Sequence, residues 1–432
     1  MIAEAKVKNK NDQGYWAFVW RQFKKKKTAL VSLYIVGALA LVAFLAPFLA
    51  NEKPIVCKYK GELFFPVFKD IAVGFGMGEF QKQFQNVDWK NLEYDMAVFP
   101  PVPYLPMNQD NDNIHSKGPF DEQNVPSTRW HHWFGTDELG RDILSGMIHG
   151  TSIAMTVGIV SMVIASFIGI ILGALAGFYG DENFQISRVR LWGNLLFFVL
   201  ALFYAFGARS YDLTDALGRS FGDGFVQLLI SFLIFSAVMV VGNLLVIPLK
   251  RVSFLGTQVA VPFDLIIMRI IEVLNSIPTL FLILLIISII RKPNLYAIMG
   301  IIGLTGWTGI ARFIRAELLK VRSLEYIEAA NSLGYSNMHI VFRHAIPNAL
   351  SPVLISIAFG IAGAILTEAG LSFLGLGPAD TVTWGQLLSL ARGIPQAWWL
   401  AIFPGFAIFI TVTTFNLIGD GLTDAMDPRL KQ

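Results

Sequence analysis

The chain has 432 residues, 54% of them hydrophobic and only 15% charged, a balance that lies well to the apolar side of soluble globular proteins and places it in a lipid bilayer. Its formal net charge of +3 is too small to indicate a nucleic-acid partner, so the position of the charges matters more than their sum. The single cysteine, Cys57, excludes an internal disulfide and a thiolate metal cluster.

An uncharged apolar run follows Lys24-Lys25-Lys26-Lys27 and extends from Thr28 to Ala50. About 20 apolar residues cross a hydrocarbon core of about 30 Å; no small-residue cleavage site ends the run, so it reads as a retained first helix. Further runs of spanning length lie at 150–179, 191–208, 224–249, 273–290, 293–311, 345–367 and 393–419. Without strict alternation, runs this long are helices and not barrel strands. The expected fold class is therefore all-α, a polytopic bundle of about eight transmembrane helices. It divides into an N-terminal segment 1–27, a first helix 28–50, a hydrophilic segment 51–137, a second helix region 138–190, a helix pair 191–250 and a remainder 251–432.

Lys and Arg near the span ends set the orientation. Residues 1–27 carry Lys6, Lys8, Lys10, Arg21 and Lys24 to Lys27 against Glu4 and Asp12, which puts this end in the cytoplasm. Arg188, Arg190, Lys250, Arg251, Arg312, Arg315, Lys320, Arg322 and Arg343 fall on the same side, and both termini with them. Arg291-Lys292, in the turn before Pro293, is the exception. Residues 51–133 are rich in acids, Asp88, Glu93, Asp95, Asp110, Asp112, Asp121 and Glu122 among them, and belong outside. With Pro100, Pro101, Pro103 and Pro106 and scattered aromatics such as Phe64, Phe65 and Trp89, that segment reads as a small irregular domain, either packed over the helices or facing a soluble partner. His131, His132 and His149 have no carboxylate or cysteine at recognised ligand spacing and are expected at the membrane interface, with no metal.

Arg269 and Glu272, three residues apart, are expected to form an ion pair on one helix face near the start of the fifth span. Asn275, Ser276, Pro278 and Thr279 would form a polar, kinked section further into that helix, suited equally to lining a pathway or to interhelical packing. Between the sixth and seventh spans, at 322–347, Ser323 reads as the N-cap of a short helix, Glu325 lies in its first turn, and Gly334 sits where a left-handed cap would end it. Ser336 reads as the cap of a second short helix that stops near Ile346, because Pro347 disfavours helical geometry before it. Ala329 and Ala330 admit a close approach, Tyr326, Ile327 and Leu333 supply apolar anchors, and Glu328 supplies a charge: a docking element. Glu368, near the outer end of the seventh span, is expected to be solvated there, or else to touch substrate or a docked protein. No Gly-rich phosphate loop occurs, so ATP is not expected to bind this chain.

These residues carry a resemblance. Glu328-Ala329-Ala330, Gly334, Ile340 and Ile346-Pro347 are similar to the EAA loop of binding-protein-dependent ABC importer permeases. Phe134 to Asp142 (FGTDELGRD), Glu368 to Gly377 (EAGLSFLGLG), Trp384-Gly385 and Asn416 to Arg429 resemble, in order, segments of the oligopeptide/dipeptide permease family, and Trp20 to Pro47 does so more loosely. The similarity covers about 20–50, 134–180, 262–378 and 384–430.

That resemblance implies a subunit of the cytoplasmic (inner) membrane that forms half of a peptide pathway with a second permease subunit. An external solute-binding protein would deliver substrate. Two ATPase subunits, which bind the ATP and Mg, would dock at Tyr326, Glu328, Ala329, Ala330, Gly334, Ile340 and Pro347. Related systems carry nickel complexes and other small solutes. Family members usually have six helices, so 191–208, 224–249 and the segment 51–133 are insertions, and Thr423 stands where arginine is common. The rival classes are an ion-gradient transporter or channel, which needs buried ionisable groups that these spans lack, and a membrane enzyme, for which no catalytic cluster is present.

Overall fold

The computed structural model describes residues 15–74, 77–84, 87–182, 184–219, 221–251, 256–290, 294–378 and 380–426. Lys6, Lys8, Lys10, Arg291-Lys292 with Pro293, and the end of the C-terminal motif from Asp427 lie outside these residues.

A short helix α1 (Tyr15–Phe23) precedes α2 (Lys27–Leu49). A hydrophilic domain follows, with β1 (Val56–Tyr59), β2 (Glu62–Phe64), α3 (Pro66–Gly74) and β3 (Met96–Val98). The long helix α4 (Ile143–Ala174) ends in a π turn at Leu175–Tyr179. Then come β4 (Gln185–Ser187), α5 (Arg188–Leu202) with a π turn at Phe203–Gly207, α6 (Ser210–Arg219), α7 (Phe221–Val246) and β5 (Gln258–Ala260). The remainder comprises α8 (Phe263–Ser276), α9 (Thr279–Ile290), α10 (Leu295–Val321), α11 (Glu325–Ser332), α12 (Asn337–Ile340), a π turn Val341–Ala345, α13 (Ile346–Phe373), α14 (Trp384–Leu390) and α15 (Trp399–Met426). Among the described residues 7 helices are long and apolar enough to cross a membrane, or 8 if α8 and α9 are one broken span. The chain is a polytopic helical protein, as its composition requires.

Two expected elements differ. The span at 273–290 is not one helix: α8 stops at Ser276 and α9 starts at Thr279, because Pro278 has no N–H to donate and crowds the residue before it out of helical geometry. At 337–373, in contrast, the helix passes straight through Pro347. The π turn just before it opens the ladder, with Ile346 N–H reaching Val341 O, which relieves both the ring's clash with the preceding turn and its missing hydrogen bond.

Contacts divide the chain into two compact units. The first comprises residues up to 170, 277–314 and 347–432. Its core is branched aliphatic: Val157, Ile283, Ile287, Ile298, Ile302 and Leu371 pack together, fully or nearly fully buried. Small residues let the helices close up, as in membrane interfaces generally. A Cβ on Gly169 would lie 2.8 Å from that of Ile310, and one on Gly303 would lie 2.7 Å from that of Ile164, while Ser161 Oγ donates to Met299 O at 3.1 Å. Helix α2 packs on α15, where Lys26 Nζ meets Asp424 at 2.7 Å. Thr423 turns its hydroxyl back onto Gly419 O at 2.9 Å.

The hydrophilic domain has an antiparallel sheet in the order β2-β1-β3, with Cys57 opposite Phe64 and Ala97. Phe84 stacks on Trp89 at 5.2 Å beneath it, so the segment has the small core of its own that its aromatics suggested. Residues 134–142 form a tight corner beside this core. Gly140 has φ +77°, and a side chain there would strike the Asp110 carbonyl. Asp137 accepts from the backbone N–H groups of Leu139 and Arg141, each at 2.9 Å, and from Arg141 Nε at 2.6 Å. His132 has carboxylate partners that its spacing in the sequence does not show. It is fully buried, with Nδ1 2.7 Å from Asp142 and Nε2 3.2 Å from Asp110, because two carboxylates repay the cost of desolvating the ring.

The second unit comprises residues 171–276 and 315–346. Within it α5 and α7 run alongside each other, and their roots are tied by the β4–β5 ladder, Gln185 opposite Ala260 and Ser187 opposite Gln258. Arg209 donates to Ser231 Oγ at 3.0 Å and to Gln227 near the far ends of the same helices. The pair is thus closed on itself at both ends.

Candidate functional site

The loop 322–346 is a compact projection in the second unit. Helix α11 is capped by the backbone of Leu324 and not by Ser323, whose hydroxyl instead donates to Lys320 O at 2.9 Å at the end of α10. Glu325 and Glu328 both fall in the first turn of α11, where the helix dipole favours anions. At the other end the expected left-handed turn is present. Gly334 has φ +78°, its N–H donates to Asn331 O at 3.0 Å, and Tyr335 N–H donates to Ala330 O at 3.2 Å. This pair of bonds is a Schellman closure. No atom lies within 4 Å of where a Gly334 Cβ would be, so the demand for glycine there is conformational. Ser336 then caps α12, accepting from His339 N–H at 3.3 Å.

Burial sorts the expected contact residues. Ile327, Ala330 and Ile340 face the protein's own interior at 1%, 8% and 0% exposure, so they hold the projection in shape and are not available to a partner. That corrects the anchoring role expected of Ile327 and the contact roles of Ala330 and Ile340: Ile327 and Ala330, three apart, share the inner face of α11, and Ile340 is buried at the end of α12. Tyr326, Glu328, Ala329, Gly334 and Pro347 are exposed. So are Leu324, Leu333, Tyr335, Met338 and Phe342, Leu333 at 77%. An exposed apolar patch with an acidic border is the usual mark of a protein contact site.

The root of the projection is built from the π turn after α4, from α8 and from the end of α10 at Arg315. Asp264, in the first turn of α8, receives both Nε and Nη2 of Arg315 in a two-pronged ion pair, the second contact at 2.6 Å. Asp181 accepts from Leu265 N–H at 3.0 Å. The π turn after α4 presses its Gly177 onto α10, where a Cβ would be 2.7 Å from Arg315 O. Sequence reading missed this pairing. Its one signal is an acid, Asp264, in the first turn of an apolar, helical run.

Elsewhere, Arg269 and Glu272 form the expected ion pair at 2.6 Å on an exposed face of α8. Asn275 and Ser276 are exposed at the end of α8, Ser276 Oγ donating to Val273 O at 2.7 Å, and Thr279 is exposed at the start of α9. Glu368 is not solvated: it is 2% exposed, accepts from Ser372 Oγ at 2.6 Å and bonds the Thr383 hydroxyl. The loop after α13 folds back over it, with a Cβ on Gly385 excluded by the Ala369 backbone, and this removes the carboxylate from water. Trp384 Nε1 donates to Met147 O at 3.0 Å, fixing the loop to α4.

Residues 253–432 match the family of binding-protein-dependent transport system inner membrane components, and residues 14–59 match the N-terminal transmembrane domain of oligopeptide transport permease C. The chain is 27% identical over 414 residues to the inner membrane ABC transporter permease protein YejE of Escherichia coli strain K12, covering 95% of this chain and 96% of that one. It is 29% identical over 316 residues to the dipeptide transport system permease protein DppC of Bacillus subtilis strain 168, covering 72% of each. A putative peptide transport system permease protein of Brucella suis biovar 1 is 30% identical over 302 residues, 69% of this chain and 74% of that one.

Proposed function

From the premise that the chain belongs to the family of binding-protein-dependent transport system inner membrane components, we propose that it forms half of a peptide pathway and is driven by separate ATPase subunits seated on the 322–346 projection. The chain is a membrane-spanning permease subunit of an ATP-binding-cassette importer. Peptides are the proposed cargo, because the similar permeases are named for dipeptides and oligopeptides.

The observation that carries the docking assignment is the exposed patch of Leu324, Tyr326, Leu333, Tyr335, Met338 and Phe342 around the acidic turn of α11. In this arrangement the termini and the projection face the cytoplasm, supported by Lys24 to Lys27, Lys320 and Arg322, and the acidic 51–137 segment faces an external solute-binding protein. Two ATPase subunits hold ATP and Mg; this chain holds neither. A second permease subunit supplies the other half of the pathway, and Asn275 and Ser276 are the proposed pathway-facing groups of α8.

Coupling follows from helix continuity. The projection leaves α10 after Val321 and re-enters a helix that runs unbroken from Asn337 to Phe373. A rigid α11, closed by the Gly334 turn, transmits displacement into both helices when the ATPase dimer closes, shifting a two-state pathway.

A tagged chain should copurify with an ATPase and a second permease, and Leu333→Glu should remove the ATPase while leaving the permease. Peptide transport by the solitary chain in liposomes, or an unchanged ATPase in the Leu333→Glu pull-down, would overturn the assignment.

A further inference from the structure

The hydrophilic domain carries a second exposed apolar surface, remote in sequence from the projection. On α2, Leu41, Phe44 and Phe48 recur at i, i+3 and i+7, one face of the helix, and Phe44 is 79% exposed on that span. The stripe does not stop where the span ends at Leu49. Phe68 of α3 packs edge-on against Phe48 with ring centroids 5.0 Å apart, and Phe65 continues it at 6.2 Å from Phe68.

Helix α3 is turned so that Pro66 and Val67 are buried in the domain, while Phe68 is left 53% exposed and Phe65 48% exposed. Leu63, at the edge of β2, adds a further 57%-exposed side chain, and these residues border an apolar groove of about 430 Å³. From Leu63 to Phe68 there is no charged or hydrogen-bonding side chain. Charge appears only at the rim, where Glu62 precedes the run, Lys69 follows it, and Asp70 is paired with Lys53 at 2.5 Å.

We propose that this edge of the domain, formed by Leu63, Phe65 and Phe68, is seated in the interfacial layer of the bilayer and contacts lipid directly, anchoring the domain to the membrane beside α2. The surface continues an exposed apolar face of a spanning helix through the Phe48–Phe68–Phe65 ring contacts. Its aromatic rings lie within one side chain's reach of the point where the span ends, the level at which aromatic side chains gather at membrane–water boundaries. The inference depends on α2 crossing the membrane and not on the importer assignment.

The test uses nitroxide labels on the full chain in nanodiscs of phosphatidylethanolamine and phosphatidylglycerol, one at Phe65→Cys, one at Phe68→Cys and a control at Glu93→Cys; wild-type Cys57, being buried, is the unlabelled reference. Phe65→Cys keeps the Phe48–Phe68 contact and covers the case in which Phe68→Cys disturbs the fold. Lipid contact predicts collision with oxygen several-fold greater than with a water-soluble nickel chelate at 65 and 68, and the reverse at 93. Equal chelate access at all three positions shows an edge in water and overturns the proposal. Protection from both reagents shows a protein surface covering the edge, the sister permease for instance, and overturns it as well.

Discussion

Asp142 holds two structures at once: one oxygen lies 2.7 Å from His132 Nδ1, and the other accepts Ser145 N–H at 2.6 Å at the head of α4. His132 completes the link to Asp110 on the far side of its ring. Burial disfavours a charged His132, but hydrogen bonds and charge from Asp110 and Asp142 outweigh it and hold the pKa above the usual imidazole value. Burial also acts against the Asp110 carboxylate and is outweighed by His132, Asn113 and Lys90, which bring it down to about 2.

The resulting pH dependence has a definite sign. A raised histidine contributes its full stability below its unfolded value of about 6.5 and loses it as pH rises through the folded value. A lowered aspartate contributes above its unfolded value of about 4 and loses that contribution as pH falls towards its folded one. Thermal unfolding of the hydrophilic domain should therefore be most resistant between about pH 4.5 and 6.5. Unfolding temperatures that stay flat from the middle of this range into alkali would contradict a charged imidazole.

Gly334 should tolerate asparagine and reject valine. At φ +78° with open space around it, an L-residue costs about 1–2 kcal/mol and a β-branched one more, whereas asparagine enters this region readily. Gly334→Val is expected to insert normally, unwind the end of α11 and lose peptide-stimulated ATP hydrolysis in the assembled importer, while Gly334→Asn retains most of it. Equal activity in the two variants would mean that the turn does not couple.

How much of this was legible in advance depended on where the information is stored. Apolar runs and the residue types at Gly334 and Ser336 act locally, and the spans and that turn were visible from them. Which side of α11 faces inward was not, because Ile327 and Leu333 are equally apolar and only packing buries one and exposes the other. The Asp264–Arg315 pair and the Asp110–His132–Asp142 cluster join residues far apart in the chain, beyond any local pattern. Pro347 misled for a related reason: the π turn that accommodates it has no compositional sign of its own.

Separating Arg315 from Asp264 should loosen the base of the projection. Both groups are partly screened, at 29% and 17% exposure, so the loss from Asp264→Asn or Arg315→Gln is expected to be about 1–2 kcal/mol each, short of a fully buried pair. Because the residues touch, the double variant should cost less than the sum of the two. A double-mutant cycle on chemical denaturation of the purified chain measures this, and strict additivity would show that the pair contributes nothing.

Glu368→Gln should transport nearly normally and Glu368→Ala should not. Buried and bonded to the Ser372 and Thr383 hydroxyls, the side chain acts as a tie between α13 and the loop before α14. A carboxamide can still accept from one hydroxyl and donate to the other, whereas alanine takes away the carboxylate that both hydroxyls bond, at about 1–3 kcal/mol. Uptake by proteoliposomes of the assembled importer distinguishes the outcomes. Loss of transport in Glu368→Gln at unchanged stability would assign the negative charge itself to the pathway.

The α5–α7 pair should be removable at the ladder that ties it. Ser187 and Gln258 are paired, and Arg188 N–H donates to Thr257 O at 2.9 Å, so those two face each other as the last pair before the helices. A two-residue turn closes such a pair without changing its register, and Asn-Gly is the sequence best suited to it. Since α5 and α7 enter and leave from one root, replacing 189–256 by Asn-Gly removes two crossings together and leaves the sidedness of every later span unchanged. The excision keeps Asp264, Arg315 and Gly177, and with them the base of the projection. The shortened chain is therefore expected to insert, to bind the ATPase and to transport, with its loss confined to stability in detergent. If it inserts but no longer copurifies with the second permease, the α5–α7 pair is part of that interface and not peripheral to it.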